Sequence, residues 1–294
     1  MPLILQPDTE QDAPQRVVSL VPSLTESLFD LGFGDTLVGV TDFCTEPAAA
    51  RQIAHVGGPK TLSIKAIIDL SPDLVVANQE ENSRDDVQAL VAAGIKVWLS
   101  FPCTVQQMLA DLFTLASLFR SDPAFMRVRF LEQSLAWARS AAESRQPVRT
   151  FCPIWYENDG EEPWWMTFNR ETYSHDLLNC LGFMNIFANR QRLYPLAADL
   201  GKGVPEDPAG RDTRYPHVLE QEVITAQPDL VLLPSEPYPF DETMRKLVQE
   251  RFSATPAVGS GRIILVDGSL LTWHGTRLAK ALAELPAWLD EVTQ

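Results

Sequence analysis

Aromatic residues recur in predicted loops, just after several apolar segments that the sequence predicts to be strands. Phe43, Phe101 and Trp155 each follow such a segment, and Trp164 and Trp165 come after an acidic turn. Ligands of open α/β sheets bind outside the carboxyl ends of the strands, so these rings are positioned to contact a ligand. Large flat rings cover a flat macrocycle by apolar contact and stacking. Packing in the core or between lobes is the alternative role for some of them.

Trp273 and His274 add a ring and an imidazole immediately before the last predicted helix. His274 either contacts a ligand, where it could coordinate cobalt or iron, or is a solvated histidine at the helix start. None of the four histidines lies at a metal-type spacing such as HxxxH, and the four cysteines form no CxxC pair. We therefore predict no zinc or manganese site, and we expect the cysteines to be buried free thiols.

Several function classes are excluded by composition and by missing motifs. The 294-residue chain has 45% hydrophobic and 21% charged residues, as globular proteins do, and its net charge of −15 disfavours nucleic acid as a partner. The chain contains no GxSxG, Walker A, GxGxxG or HExxH motif, so we do not expect an enzyme.

Strand-like and helical segments alternate along the chain, which predicts βαβ units and parallel sheets. Ser23 and Glu26 fit the capping-box pattern, so a helix is expected to open at Ser23. Residues 123–145 begin with proline and keep one apolar face, which predicts a single helix about 33 Å long. The stretch 199–216 is expected to be an irregular loop.

Residues 68–76 and 224–232 form a weak internal repeat. In both copies a helix runs into Pro-Asp and then into a buried strand, although chance matching of such common punctuation is the alternative. Pro72 and Pro228 lie 156 residues apart, about half the chain, so we predict two similar α/β lobes joined by the long helix. The expected domains are a polar arm (1–15), an N-terminal lobe (16–119), a bridging helix (120–146) and a C-terminal lobe (147–294).

Six motifs occur in a fixed order that resembles the helical-backbone (class III) substrate-binding proteins, which include receptors for cobalamin, haem and iron-siderophores. They are Arg16–Glu26, Leu37–Thr41, Ser71–Val76, Leu90–Val97, Leu181–Phe187 and Trp273–Arg277. The resemblance covers about residues 16–290 and is greatest to the cobalamin-binding members. It implies two α/β lobes with parallel-type sheets, bridged by one long helix, with a largely pre-formed ligand cleft between the lobes.

The resemblance adds further site residues. Pro22 and Ser23 match the family's first strand-to-helix turn, which lines the cleft, and its free amides could bind a polar edge of a ligand. Plain helix capping is the alternative there. Arg277 matches a recurring family position and is a candidate hydrogen-bond donor. The predicted ligand-binding residues are therefore Pro22, Ser23, Phe43, Phe101, Trp155, Trp164, Trp165, Trp273, His274 and Arg277.

The function implied by the resemblance is non-enzymatic binding of a corrinoid, cobalamin-like ligand in an aromatic cleft between the lobes. The first alternative is a haem-binding or ferric-siderophore-binding protein of an ABC uptake system. The second is a cleft enzyme acting on a tetrapyrrole or metal chelate. No catalytic or metal-binding residue and no obligatory cofactor is predicted, because cobalamin or another tetrapyrrole would be the ligand itself.

Two departures from the family concern its partners and cargo. Transporter-docking members present a glutamate on the helix before each Pro-Asp strand, and Lys65 and Gln221 occupy these places here, with Glu220 and Glu222 beside Gln221. We therefore do not expect docking to an ABC permease by the two-glutamate mode, and we expect a monomer. The cobalamin receptors also have a cleft tryptophan near Pro59 that this chain lacks.

The first residues bear on location. They lack the basic start, apolar core and small-residue cleavage site of a signal peptide, which predicts a cytoplasmic protein. A periplasmic or extracellular protein whose leader had been removed would show the same sequence.

Overall fold

The protein is described by a computed structural model that covers residues 12–158 and 162–292. Most of the predicted N-terminal arm, residues 1–11, lies outside these ranges. The chain divides into two compact units. Unit 1 contains the residues up to Ser134 together with Trp273–Ala279, and unit 2 contains Leu135–Thr272 and the residues from Lys280 onward.

Unit 1 is built on a four-stranded parallel sheet in the order β2-β1-β5-β6. Its strands are β1 (Val17–Ser19), β2 (Leu37–Val40), β5 (Leu74–Asn78) and β6 (Val97–Ser100), and β3 (Gly57–Gly58) and β4 (Thr61–Leu62) form a small hairpin. Its helices are α1 (Pro22–Leu31), α2 (Ile64–Asp69), α3 (Arg84–Ala92) and α4 (Val105–Leu118). The β-branched residues of β1 and β5 pack with Ile67 and Leu90 into one core, so the sheet is covered by helices.

Unit 2 repeats this arrangement and adds a second sheet. The four-stranded parallel sheet has the order β10-β7-β12-β13, and the three-stranded antiparallel sheet has the order β11-β9-β8. The strands are β7 (Val148–Phe151), β8 (Trp155–Glu157), β9 (Trp164–Met166), β10 (Phe183–Asn185), β11 (His217–Leu219), β12 (Leu230–Pro234) and β13 (Ile263–Val266). The helices are α6 (Tyr173–Cys180), α7 (Leu196–Asp199), α8 (Glu220–Ala226), α9 (Glu242–Arg251), α10 (Pro256–Gly259), α11 (Ser269–Thr272) and α12 (Leu278–Val292).

The internal repeat extends to individual hydrogen bonds. Ser71 and Gln227, which precede the two Pro-Asp pairs, both adopt left-handed backbone conformations, with φ of 48° and 46°. In unit 1 the Arg16 guanidinium donates to the carbonyls of Leu70 and Ser71. In unit 2 Arg149 donates to the carbonyls of Ala226 and Gln227. An arginine at the start of the first strand therefore binds the last carbonyls of the helix before the third strand in each unit. The predicted two-lobe α/β fold with parallel sheets is confirmed.

The long helix is present as α5, Asp122–Glu143, which is 22 residues long and continuous. It covers the predicted stretch 123–145 except for the last two residues. The predicted division into arm, lobes and bridging helix stays a prediction.

The antiparallel sheet corrects the prediction that the aromatic segments around 155–165 are loops, whereas residues 200–216 are largely irregular, as predicted. Trp155–Glu157 and Trp164–Met166 are paired strands, and α7 and a short strand at His217 flank the irregular stretch. Strands of three residues are too short for a period-2 pattern to be recognised. The signal that was available is the run of β-forming aromatic residues on both sides of an acidic turn.

Candidate functional site

In unit 1 the predicted residues gather where the parallel strands end. Pro22 and Ser23 follow β1, Phe43 follows β2, and Phe101 follows β6. Phe43 is 63% exposed and Phe101 is 36% exposed, although large apolar side chains are normally buried. This edge therefore presents aromatic surface to solvent.

Phe43 is held on the hairpin formed by β3 and β4. A Cβ atom at Gly58 would lie 3.3 Å from Cε2 of Phe43, so the absence of a side chain lets the phenyl ring approach this backbone. Next to Phe43, the Asp42 carboxylate lies 3.0 Å from Nδ1 of His55. The ring thus has a fixed support on one side and solvent on the other.

The turn between β1 and α1 differs from the expected capping box. Val21 is the N-cap residue, Pro22 is the first helical residue, and no side chain caps this end. Proline suits this position because its missing N–H would have no helical acceptor. Glu26 binds Arg277 instead of the helix start, so the capping-box prediction is wrong. The amides of Ser23 and Leu24 belong to the first turn, whose N–H groups have no intrahelical acceptor.

Arg277 has a different role from the predicted ligand donor. Its guanidinium donates to both carboxylate oxygens of Glu26 at 2.8 Å, and it lies 4.6 Å from the centre of the Trp273 ring. Arg277 is only 9% exposed. With Nε and Nη2 bound to Glu26 and the guanidinium beside the indole, Arg277 positions Trp273 within unit 1.

The segment from Trp273 to Arg277 is fastened to α1. Gly275 has φ of 115°, and a Cβ there would lie 2.1 Å from Oγ of Ser27. The amide of Thr276 donates to Ser27 Oγ at 3.1 Å, and its hydroxyl donates to Asp30 at 2.6 Å. Only glycine fits this close approach, so the neighbouring Trp273 is held in place by the backbone.

His274 is buried in a polar cluster. Its Nδ1 lies 3.4 Å from the amide nitrogen of Asn78, the last residue of β5, and its Nε2 lies 4.0 Å from Glu80. His274, which was predicted to contact a ligand, is therefore buried beside Asn78 and Glu80.

In unit 2 the antiparallel sheet separates the predicted tryptophans onto two faces. Successive residues of a strand point to opposite faces. Trp165 is fully buried in the core, beside Tyr156 at 4.4 Å between ring centres, so it cannot line a ligand surface as the sequence analysis expected. Adjacent strand residues cannot both face the same ligand, which is why Trp164 and Trp165 differ.

The opposite face of this sheet, here called the outer face, carries Trp155, Trp164, Met166 and His217. Trp155 is 39% exposed and packs edge-on against Tyr238 at 5.4 Å. Trp164 is half-buried, and its ring is perpendicular to that of His217 at 4.5 Å. The outer face is thus the aromatic surface of unit 2.

A buried Asp–His pair supports the outer face, and sequence reasoning missed it. Oδ2 of Asp199 accepts from the backbone N–H and from Nδ1 of His217, both at 2.8 Å, and Oδ1 accepts from the Leu193 amide. Arg190 lies 3.2 Å from Asp199. Burial alone would raise the pKa of Asp199, but the hydrogen bonds from His217 outweigh it and hold the pKa below its usual range. No sequence spacing relates residues 199 and 217.

Metal-type side-chain clusters and membrane-spanning helices are two further features that bear on function. Within residues 12–158 and 162–292, no group of three or more His, Cys, Asp or Glu side chains could hold a metal ion. Cys44, Cys152 and Cys180 are buried free thiols as expected, whereas Cys103 is half-buried. The helices in the described part of the chain include none with the length and apolar character needed to cross a membrane.

The amino-acid sequence is similar to those of known proteins. Residues 17–270 match the profile of the family described as "Periplasmic binding protein". A vitamin B12-binding protein of Yersinia pestis (strain Pestoides F) is 28% identical over 222 residues, which is 75% of this chain and 70% of that protein. The protein of the same name from Yersinia pseudotuberculosis serotype O:3 (strain YPIII) is 30% identical over 184 residues, covering 62% of this chain and 64% of its own.

Solved structures with the same fold bind different ligands. The periplasmic vitamin B12 binding protein BtuF of Vibrio cholerae superposes with a TM-score of 0.76 at 20% identity, covering 97% of this chain and all of that chain. The periplasmic heme-binding protein RhuT from Roseiflexus sp. RS-1 gives 0.75 at 22% identity, with the same coverage. At these identities the likeness establishes the fold and leaves the ligand open.

These findings bear on three predictions: the binding function, the location and the family. The expectation of a binding protein rather than an enzyme is confirmed, because the matching family and the matching proteins are described as binding proteins. The matching proteins are named for small molecules that they bind, vitamin B12 or heme. The predicted cytoplasmic location is wrong, since the matching proteins are periplasmic; the first residues alone were a poor guide. The chain belongs to the periplasmic binding protein family.

Proposed function

We propose that this protein binds a corrinoid, cobalamin-like ligand for uptake. The observation that carries the proposal is the exposure of aromatic rings after the ends of parallel strands, namely Phe43 and Phe101 in unit 1 and Trp155 in unit 2. Such rings bind a flat macrocycle by stacking and apolar contact. The relatives in Yersinia named vitamin B12-binding protein support a corrinoid as that macrocycle.

Haem is the second candidate, and a specific observation favours it. The heme-binding RhuT shares the fold about as closely as the vitamin B12 binding protein of Vibrio cholerae, with TM-scores of 0.75 and 0.76. Exposed aromatic rings suit either macrocycle. The sequence relatives named for vitamin B12 make the corrinoid our first choice.

The ligand is tested by titrating cyanocobalamin, haemin and a ferric siderophore into the purified protein, with tryptophan fluorescence and absorption as readouts. We expect saturable one-to-one binding of cyanocobalamin that is tighter than binding of the other two. Tighter binding of haemin would establish the second candidate, and no binding of any of the three would refute the proposal.

The site is tested by removing single rings. Trp164→Ala and Trp273→Ala should each weaken ligand binding about 5- to 150-fold, since a stacked ring contributes about 1–3 kcal/mol. Trp137, which is 68% exposed on α5, provides the control: Trp137→Ala should leave the affinity unchanged. Unchanged affinity in both test variants would refute the role of the aromatic residues.

We also propose that docking to a permease does not use a pair of surface glutamates. Lys65 is exposed and pairs with Asp69 at 2.5 Å, and Gln221 is exposed and donates to Thr225. The flanking Glu220 binds Arg251 at 2.8 Å, and Glu222 accepts from the Leu219 amide. A lysine facing a permease arginine would repel it.

Lys65→Glu combined with Gln221→Glu tests this proposal. In a pull-down, the double variant should bind a reconstituted bacterial vitamin B12 permease more tightly than the unmodified protein does. Tight binding by the unmodified protein, or no gain in the double variant, would contradict the proposal.

A further inference from the structure

The outer face of the antiparallel sheet contains a histidine with a free ring nitrogen. Asp199 is fully buried and ionised, and a carboxylate can only accept, so Nδ1 of His217 carries the proton and donates to it. In the neutral imidazole with this tautomer, Nε2 keeps its lone pair. This nitrogen has no hydrogen-bond partner among the described residues, and His217 as a whole is 3% exposed.

A thioether side chain lies opposite this imidazole across the strand pair. The pairing of β9 with β11 places Met166 directly opposite His217, and both side chains lie on the outer face. Side chains in such cross-strand positions have Cβ atoms about 4.5–5.5 Å apart, within reach of each other's tips. Trp164, two residues before Met166 on the same face, packs against the imidazole at 4.5 Å between ring centres.

A thioether and a neutral imidazole form a donor set selective for soft metal ions. Hard cations need a full set of oxygen ligands, of which the described strands of this face offer the carboxylate of Glu157, opposite Trp164, and structural zinc needs four donors. The nearby indole can add a cation–π contact to a bound cation. The carboxylate behind the imidazole is the orienting partner that metal-binding histidines commonly have. We propose that Met166 and His217, beside Trp164, bind a Cu(I) ion.

The competing role for His217 is purely structural. Through Asp199 it fixes the segment 190–200 to the edge strand β11, and that contact uses only the backbone N–H and Nδ1. A structural role therefore leaves Nε2 and Met166 without a function. The two roles differ in their response to changes at Met166, which does not contact Asp199 through any hydrogen bond.

The test is an anaerobic titration of Cu(I) into the full chain in competition with a chromogenic Cu(I) chelator. The unmodified protein should bind one equivalent, and Zn(II) at the same concentration should not displace it. Loss of groups that merely orient a ligand costs about 10- to 100-fold in metal affinity, so Met166→Leu, which removes a ligand, should cost at least about tenfold.

Two further variants keep the result interpretable. Met184→Leu makes the same change at a methionine that is 38% exposed on β10, and it should bind Cu(I) like the unmodified protein. His217→Asn retains an N–H group toward Asp199 and removes the free imidazole nitrogen, so it should also bind at least about tenfold more weakly while its circular dichroism stays native. Absence of Cu(I) binding by the unmodified protein, or equal affinity of the Met166→Leu and Met184→Leu variants, would overturn the proposal.

Discussion

Asp199 offers the sharpest test of how unit 2 is held together. Its fully buried carboxylate accepts hydrogen bonds from two groups of His217 and from the Leu193 amide, and it pairs with Arg190 at 3.2 Å. Asp199→Asn keeps the size of the side chain, removes the charge and turns one acceptor into a donor that faces other donors. The variant should have a lower free energy of unfolding, because these donors lose a charged hydrogen-bond acceptor.

The expected loss in the free energy of unfolding follows from the burial of the Asp199–Arg190 pair. Breaking a buried charged pair by removing one partner costs about 3–5 kcal/mol. The Arg190 side chain is 24% exposed and regains some hydration, so we expect about 3 kcal/mol at pH 7. Glu242→Gln is the matched control in the same unit, because Glu242 pairs with Arg245 at 2.9 Å but is 60% exposed. Its cost should stay below about 1 kcal/mol.

The loss of stability caused by Asp199→Asn should also depend on pH. The pKa of Asp199 lies below its usual range in the folded protein, whereas an unfolded aspartate titrates near about 3.9. A lowered folded-state pKa gives stability that is complete above the unfolded pKa and is lost as the pH falls through the folded one. The difference in the free energy of unfolding between the unmodified protein and Asp199→Asn should therefore become smaller below about pH 4.

Urea unfolding followed by circular dichroism at pH 7 and at pH 3 measures both effects. If Asp199→Asn is no less stable at pH 7 than Glu242→Gln, or if the difference stays constant down to pH 3, the role assigned to the carboxylate is refuted.

Four further outcomes are expected. Gly275→Ala should lower the free energy of unfolding by about 1–3 kcal/mol from backbone strain alone, plus the clash with Ser27, as measured by urea unfolding. Trp165→Ala should cost about 3–5 kcal/mol in the same assay, because it empties a core position. Burial raises the pKa of Asp111 to about 6, against a hydrogen bond from Ser100, so stability should fall as the pH rises from about 4 to 6, and Asp111→Asn should abolish that slope in thermal melts. Light scattering should give the monomer mass of 32.8 kDa; a dimer mass would contradict the expected monomer.

The parallel sheets could be predicted because their signals are local and repeated. Each copy of the Pro-Asp motif joins a helix to an apolar strand, and both copies form the same turn with a left-handed residue at Ser71 and Gln227. Arg16 and Arg149, which bind those turns, carry no recognisable spacing because they meet the turns only after the sheets form. The local sequence pattern was therefore sufficient to predict the helices and strands. It did not predict the arginine contacts that join them in the folded protein.

The aromatic site was predicted in part. Phe43, Phe101 and Trp155 are exposed after strand ends, which position along the chain suggested. Trp165 was misjudged because its burial depends on which face of a three-residue strand it occupies, and that strand was interpreted as a loop. The pairing of Arg277 with Glu26 was not predicted because the two residues lie 251 positions apart in the sequence.

The most direct test of the proposed function is the affinity of cyanocobalamin for Trp155→Ala beside that for Trp137→Ala, measured by equilibrium dialysis. Both residues are exposed tryptophans, one on the outer face and one on α5. The proposal predicts a loss of about 5- to 150-fold for Trp155→Ala and unchanged affinity for Trp137→Ala. Equal affinities for the two variants, or no measurable binding by the unmodified protein, would contradict it.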